Sequence, residues 1–302
     1  MSNPAWPALE LARARRGLAR VPFILPVPVV LGGERVLGSV ALAHLPVLRA
    51  FPDAFEPVDT DGAGVPRALA LRLAADGRDE RLAEIHERLN RRGLIRGWRH
   101  EPYPLRDHAG HEHATIERAA SRFWGTLTWG AHCNGYVADE QGRPTHLWIA
   151  RRAESKSVDP GRLDNLVAGG VARGQTALGA LLREAWEEAG LQAAQLEGLV
   201  TGSVIEVDCD VAEGRQHELL HVFDLELPAG VEPHNTDGEV AEHRLIPLAE
   251  AYARAAAGEF TTDAALATFD FAWRRGPIEP NLASEAQTSV FERLRRASGR
   301  VE

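Results

Sequence analysis

The stretch from Gly169 to Leu191, GGVARGQTALGALLREAWEEAGL, constrains this chain more than any other. Its apolar spacing predicts a helix from about Thr176 to Ala189, with Gly190 suited to the stop. In that helix Glu184, Glu187 and Glu188 stand at i, i+3 and i+4 and share a face. Leu178, Leu181, Leu182, Ala185 and Ala189 fall on a different stripe, so the expectation is an apolar stripe in the core and carboxylates looking outward. Ala177 and Ala180 share the glutamate side, where their small size leaves room for a ligand. Like charges so placed destabilise a helix by roughly 0.2–0.5 kcal/mol per pair, and only Arg183 flanks them. A hard divalent cation such as Mg²⁺ relieves that repulsion, because it takes carboxylates together with water and phosphate oxygens.

At these residues the chain resembles the Nudix hydrolases. Gly169, Arg183, Glu184, Ala185, Glu187, Glu188, Gly190 and Leu191 occupy the positions of the Nudix box, and Gln175 stands where that box has its first Glu. The resemblance implies Mg²⁺- or Mn²⁺-dependent hydrolysis of a diphosphate linked to another group. It implies a metal site of Glu184, Glu187 and Glu188 with Gly169, and Arg183 as the residue that orients them. Gln175 keeps hydrogen-bonding capacity without charge, which suits ordering of the loop better than metal binding.

At 302 residues the chain is expected to form two domains, a small α/β or α+β unit over 1–122 and a second over 123–302. A net charge of −9 argues against nucleic acid or an anionic membrane as partner, but not against small phosphorylated substrates met by local cations. Cys133 and Cys209 are too few for a disulfide framework or zinc site, which fits a reducing cytoplasm. Cys133 has no paired base beside it and reads as a buried strand thiol. The run RARRGLAR followed by VPFILPVPVVLGG imitates a signal peptide, yet Pro22, Pro26 and Pro28 favour an extended segment. No apolar run is long enough to cross a bilayer. Among partners, a small-molecule diphosphate is expected, and a homodimer is carried as an open expectation.

Along the chain, the first region predicts a helix over 8–19, extended segments over 21–31 and 36–40, a helix over 42–49, a Gly/Asp loop over 59–65 and an amphipathic helix over 78–92. Leu82, Ile85 and Leu89 face inward on that helix, and Gly93 lies past its end. His108, His111 and His113 crowd a polar stretch that reads as a solvated loop rather than a metal site. A short helix over 116–123 leads on. Strands follow as a hairpin turning at 141–144, then at 163–168, 200–207, 217–227 and 240–246, with helices at 248–257, 262–274 and 283–296. This order gives a mixed sheet between helices; the resemblance sharpens it to an α/β/α Nudix sandwich.

A diphosphate needs cations where it is cleaved. Lys156, the only lysine, lies with Arg151 and Arg152 just before the glycine loop and forms the candidate clamp. A turn at Pro160-Gly161 is expected to bring Asp164 and Asn165 toward the glycines. Glu187, Glu188 and Glu239, the last in an acidic turn after a strand, are the candidate bases. Trp98 and Trp148 are the candidate platforms for the organic half, with Trp124, Trp129 and Phe223 as alternatives. Trp98 and Tyr103, at the border of the first domain, are also expected to line the pocket.

From about residue 17 to 281, segments such as GWRHEPYPL, LWIARRAESKSVDPGRLDNLVAGG and HVFDLELPAGVEPHNTDGEV are similar to the Nudix hydrolases related to thiamine pyrophosphokinase, which carry an N-terminal domain of unassigned function. That likeness implies hydrolysis of thiamine diphosphate, or its damaged oxo or oxy forms, to the monophosphate. Three alternatives stand beside it. A nucleoside-diphosphate-linked or dinucleotide pyrophosphohydrolase would use the same chemistry. An isopentenyl-diphosphate isomerase would share the scaffold, but Cys133 lacks that family's Cys-His-Pro context. A non-catalytic binding module is suggested by Gln175, against which stand the three retained glutamates.

Overall fold

Arg20–Pro26 (β1) and Glu34–Ala41 (β2) form an antiparallel pair that begins the first sheet. They belong to a computed structural model that describes residues 6–14, 17–28, 32–228, 230–275 and 285–296. Before them, Pro7–Leu11 (α1) is shorter than the helix expected over 8–19. The carbonyls of Ala12 and Ala14 instead accept hydrogen bonds from the backbone N–H groups of Asp208 and Asp210, each at 2.9 Å, so a neighbouring strand captures the chain.

After Leu45–Leu48 (α2), Phe55–Thr60 (β3) and Pro66–Leu71 (β4) complete a sheet of order β2-β1-β4-β3. The loop expected over 59–65 is thus the tip of a hairpin. Asp61 Oδ1 tightens it by accepting from the N–H groups of Ala63 (2.9 Å) and Val65 (2.8 Å). Arg78–Arg91 (α3) packs Leu82, Ile85 and Leu89 into the core of this region with Phe23, Phe51 and Phe55. Gly93 follows its end with positive φ, as the sequence suggests.

The polar stretch read as a loop also proves to be a hairpin, Pro102–Arg106 (β5) with Glu112–Glu117 (β6). Asp107 organises its turn. One carboxylate oxygen accepts from the N–H groups of Ala109 and His111, and the other pairs with His113 at 2.9 Å. The histidines therefore serve a carboxylate, and among the described residues no group of three His, Cys, Asp or Glu side chains is arranged to hold a metal. A 3₁₀ turn, Arg118–Ala120, and a single helical turn, Ser121–Trp124 (α4), lead out.

The second sheet comprises Leu127–Ala138 (β7), Pro144–Arg152 (β8), Leu163–Asp164 (β9), Val167–Gly170 (β10), Val200–Val211 (β11), Gly214–Glu226 (β12) and Val240–Pro247 (β13), with Arg295–Arg296 (β14) at its edge. It is mixed, because β7 runs parallel to β12 while its other pairings are antiparallel. Ala177–Ala189, the box helix, packs on β10 and β7 over a core that includes Leu166, Leu181, Ala185 and Leu225. We number it α5. A separate core joins the sheet to α1, Leu248–Ala256 (α6), Thr262–Arg275 (α7) and Glu285–Leu294 (α8). The result is the expected α/β/α sandwich behind a smaller α/β region.

The cores do not divide cleanly at 122/123. Trp6 meets Phe269 edge-on, with ring centroids 4.8 Å apart in the second region, whereas Phe123 and Trp124 pack in the first. Large apolar side chains go where a cavity receives them, not where a linear boundary falls.

Candidate active site

Strand β7 forks. Its residues 135–138 pair with β8, while residues 130–133 pair with β10, so β8 and β10 part at Asn134. Side chains close the gap. Asn165 donates to Asn134 at 3.0 Å and to Thr268 at 3.2 Å, and His132 lies 2.8 Å from the Asn165 side-chain oxygen. Beside the fork opens a cavity of about 360 Å³, lined in part by Arg99, Tyr103, Arg118, His132, Arg152 and Asp164.

Ala168, Gly169 and Gly170 form one wall, with α5 packed behind them. Thr176 caps the helix by accepting from the Gly179 N–H at 3.0 Å, and Gly190 ends it in the left-handed conformation with φ 64°. Gly169 is required because any Cβ there would strike the Glu184 carboxylate, and Gly170 because it would strike the Tyr103 hydroxyl. The expected direction of the carboxylates is therefore corrected. Glu184 and Glu188 are buried against the sheet, with Ala180, Leu181, Ala185 and Ala189. Leu178 and Leu182, expected inside, are 46% and 42% exposed, and Trp186 is 51% exposed. The helix turns its small and acidic residues, with Leu181, onto the strands.

Glu188 accepts from the Ala168 N–H at 2.9 Å. Burial, and next the neighbouring Glu184, push its carboxyl well above the usual range; burial also raises Glu184. Arg183 forks between Glu184 (2.7 Å) and Glu187 (2.5 Å) and so fixes both. Glu184 and Glu188 thus form a buried inner pair with Glu187 at the solvent side, but among the described residues the three are not gathered into a metal-holding group, so the divalent cation expected for them stays a proposal.

Opposite stand the cations. Lys156 is nearly enclosed and pairs with Glu239; burial lowers its ammonium, against the opposing field of Glu188. Glu239 is also 4.0 Å from Arg99. It sits in an Asx turn in which Asn235 accepts from the N–H groups of Asp237 and Gly238, so a structural turn and a placed carboxylate coexist. Arg152 holds Asp164 at 2.8 Å on the cavity wall. Arg151 points to the other side of β8, toward Glu242 at 2.8 Å, because successive side chains on a strand alternate. Trp98 packs against the first core and donates to His100, while Trp148 packs in the core beneath α5. Neither is among the cavity-lining residues, since the cores they pack against take their faces. Trp124 stacks on Phe23 and Phe223 is buried; Trp129 lies under Arg106. Cys133 is buried, and its thiol is pushed up by burial.

Arg99, Arg118, His132, Glu218 and Asp263 were not singled out by sequence reasoning. They enter the site through pairings distant in sequence, and only the register of β12 beside β7 gave a handle on Glu218, which lies opposite Thr128.

Residues 131–266 match the model of the NUDIX domain, and residues 24–128 match a domain of unknown function (DUF4743). The chain is 33% identical over 296 residues to Nudix hydrolase 20, chloroplastic, of Arabidopsis thaliana, covering 95% of this chain and 76% of that protein. It is 32% identical over 292 residues to Nudix hydrolase 24, chloroplastic, of the same plant, with the same coverage. A solved structure from Deinococcus radiodurans is similar at 24% identity and TM-score 0.43, covering 57% of this chain and 99% of that one. The chain belongs to the Nudix hydrolase family. It is an enzyme of the pyrophosphohydrolase kind, with an unassigned domain ahead of the hydrolase domain.

Proposed function

We propose that this enzyme hydrolyses the phosphoanhydride of a small organic diphosphate, with thiamine diphosphate or its damaged oxo or oxy analogues as substrate and the monophosphate as product. One observation carries the reading: Arg99, Arg118 and Arg152 line one cavity of about 360 Å³ together with Ala168, Gly169 and Gly170, the strand on which the buried Glu184 and Glu188 carboxylates rest. Guanidinium groups facing a glycine strand that is backed by buried carboxylates suit a metal–diphosphate complex. Bound Mg²⁺ or Mn²⁺ would polarise the diphosphate and lower the pKa of the attacking water. Water adds to one phosphorus, the bridging P–O bond breaks, and inorganic phosphate and the organic monophosphate separate. Glu184, Glu187 and Glu188 would hold the metal once drawn together by it, Arg183 fixes the geometry of Glu184 and Glu187, and Glu239 is the candidate to take the water's proton.

The thiamine reading draws support from the rest of the cavity. Glu218 and Asp263 both accept from the Gln216 amide, at 3.0 and 3.3 Å, and one buried Asp263 oxygen has no protein partner. Such a wall suits an organic group that is cationic or rich in hydrogen-bond donors, as the thiazolium and aminopyrimidine of thiamine are. Purified protein incubated with Mg²⁺ and a panel of diphosphates should release phosphate fastest from thiamine derivatives. Hydrolysis confined to nucleoside-linked diphosphates would replace the substrate and keep the chemistry.

A further inference from the structure

Arg99 and Arg118 lie outside the Nudix match, within the region of unknown function, yet both border the cavity. Arg118 follows β6, and its guanidinium stands over Gly170: a Cβ on that glycine would lie 3.1 Å from Arg118 Cζ. Tyr103, from β5, rests its hydroxyl against the same glycine. The two loop glycines thus receive Glu184 at one position and the first region's Arg118 at the next. The junction is tied down, because the Arg173 N–H donates to the Pro102 carbonyl at 2.9 Å and Gly97 packs on Ser157, beside Lys156.

Of the four cations Arg99, Arg118, Arg152 and Lys156, Arg99 is the least closely paired. Arg118 pairs with Glu101 at 2.8 Å and Arg152 with Asp164, while Lys156 takes Glu239 and leaves Arg99 only the 4.0 Å approach to that same carboxylate. Burial, and then Arg118 and Arg152, hold the Arg99 guanidinium below its usual range. Crowded guanidinium groups facing a cavity are the complement of an anion, and their planar forks suit phosphate oxygens.

We propose that Arg99 and Arg118, supplied by the region ahead of the hydrolase domain, grip the phosphate group of the substrate that the carboxylate helix does not hold. This rests on the diphosphate reading of the site. It gives the unassigned region a task, since it completes the phosphate clamp as well as packing beside the sheet. Of the arginines lining the cavity, the Nudix match alone would present only Arg152 and Arg215.

The test is calorimetric titration of the full chain with methylenediphosphonate, whose P–C–P bridge is not hydrolysed, in the presence of Mg²⁺. Arg99→Gln and Arg118→Gln should each weaken binding by about tenfold or more, with Arg118→Lys recovering part of the loss. Their affinity should also fall less steeply with added salt than that of the wild type, a readout that a purely structural role leaves unmoved. Arg49→Gln, an exposed arginine outside the cavity lining, should bind as the wild type does. If Arg118→Gln does not fold, Arg99→Gln decides, because Arg99 has one long ion pair to lose. Unchanged affinity and salt dependence in folded Arg99→Gln would overturn the proposal, as would failure of the wild type to bind the probe. A wild type that binds it yet cleaves no diphosphate would overturn the hydrolytic reading and leave the clamp standing.

Discussion

Glu188, as a proposed metal ligand, would trade stability for chemistry. It is 5% exposed, and in the absence of a cation its buried charge opposes the fold. Glu188→Gln should therefore leave metal-free protein as stable as the wild type or more so, by thermal melting, while steady-state phosphate release falls at least about 100-fold. Lost stability with retained turnover would refute its assignment as a ligand. His86 offers a separate titration. It is fully buried, accepts from the Trp124 indole N–H at 2.8 Å, and burial lowers its pKa from 6.5 to about 3. The unfolded chain then binds the proton first, so stability is present above about pH 6.5 and is lost as pH falls toward 3. Between pH 7 and 4.5 the wild type should lose roughly 2–3 kcal/mol more than His86→Gln, measured by denaturant unfolding at each pH.

At the scale of the element, α5 separates two leucines that the sequence places on one stripe. Leu181 is 1% exposed and Leu182 is 42% exposed. Leu181→Ala should cost about 2–5 kcal/mol, whereas Leu182→Ala should stay within about 1 kcal/mol, and urea unfolding of the pair would expose a misoriented helix at once. The helix itself was legible because its cap, its stop and its apolar period agree. Its roll was not, since a 100° period fits more than one stripe when Ala and Leu are mixed, and contact with β10 makes the choice.

For the whole molecule, the two regions are coupled through the site and through crossed packing. Trp6 lies with α7, and Phe123 and Trp124 lie with α3 and the first sheet. A fragment starting at residue 123 should then expose apolar surface at both ends and bind a hydrophobic dye such as ANS far more strongly than the full chain. A fragment that is as dye-silent and soluble as the parent would contradict this coupling. Chelation tests the other integrating element: excess EDTA should abolish phosphate release, and Mg²⁺ or Mn²⁺ should restore it.

The sequence by itself determined the box helix, the three carboxylates, most strands of the second region and the family, because those signals are local and lie within a few turns of chain. It also showed Lys156 and Glu239 as site residues to consider, and these come together as an ion pair. It did not reveal β3, β4, or the β5–β6 hairpin, whose short strands exist through partners rather than through periodicity. Nor did it separate Arg152 from Arg151, which a one-residue alternation sends to opposite faces. Tyr103 was expected at the pocket and lines it, but only the tertiary structure brought Arg118 onto the glycine loop, Arg99 to the cavity, and Glu218 beside Asp263. The physical reason is that a charge's role depends on what folding places beside it, and these neighbours are set by strand register and core packing across long spans of chain.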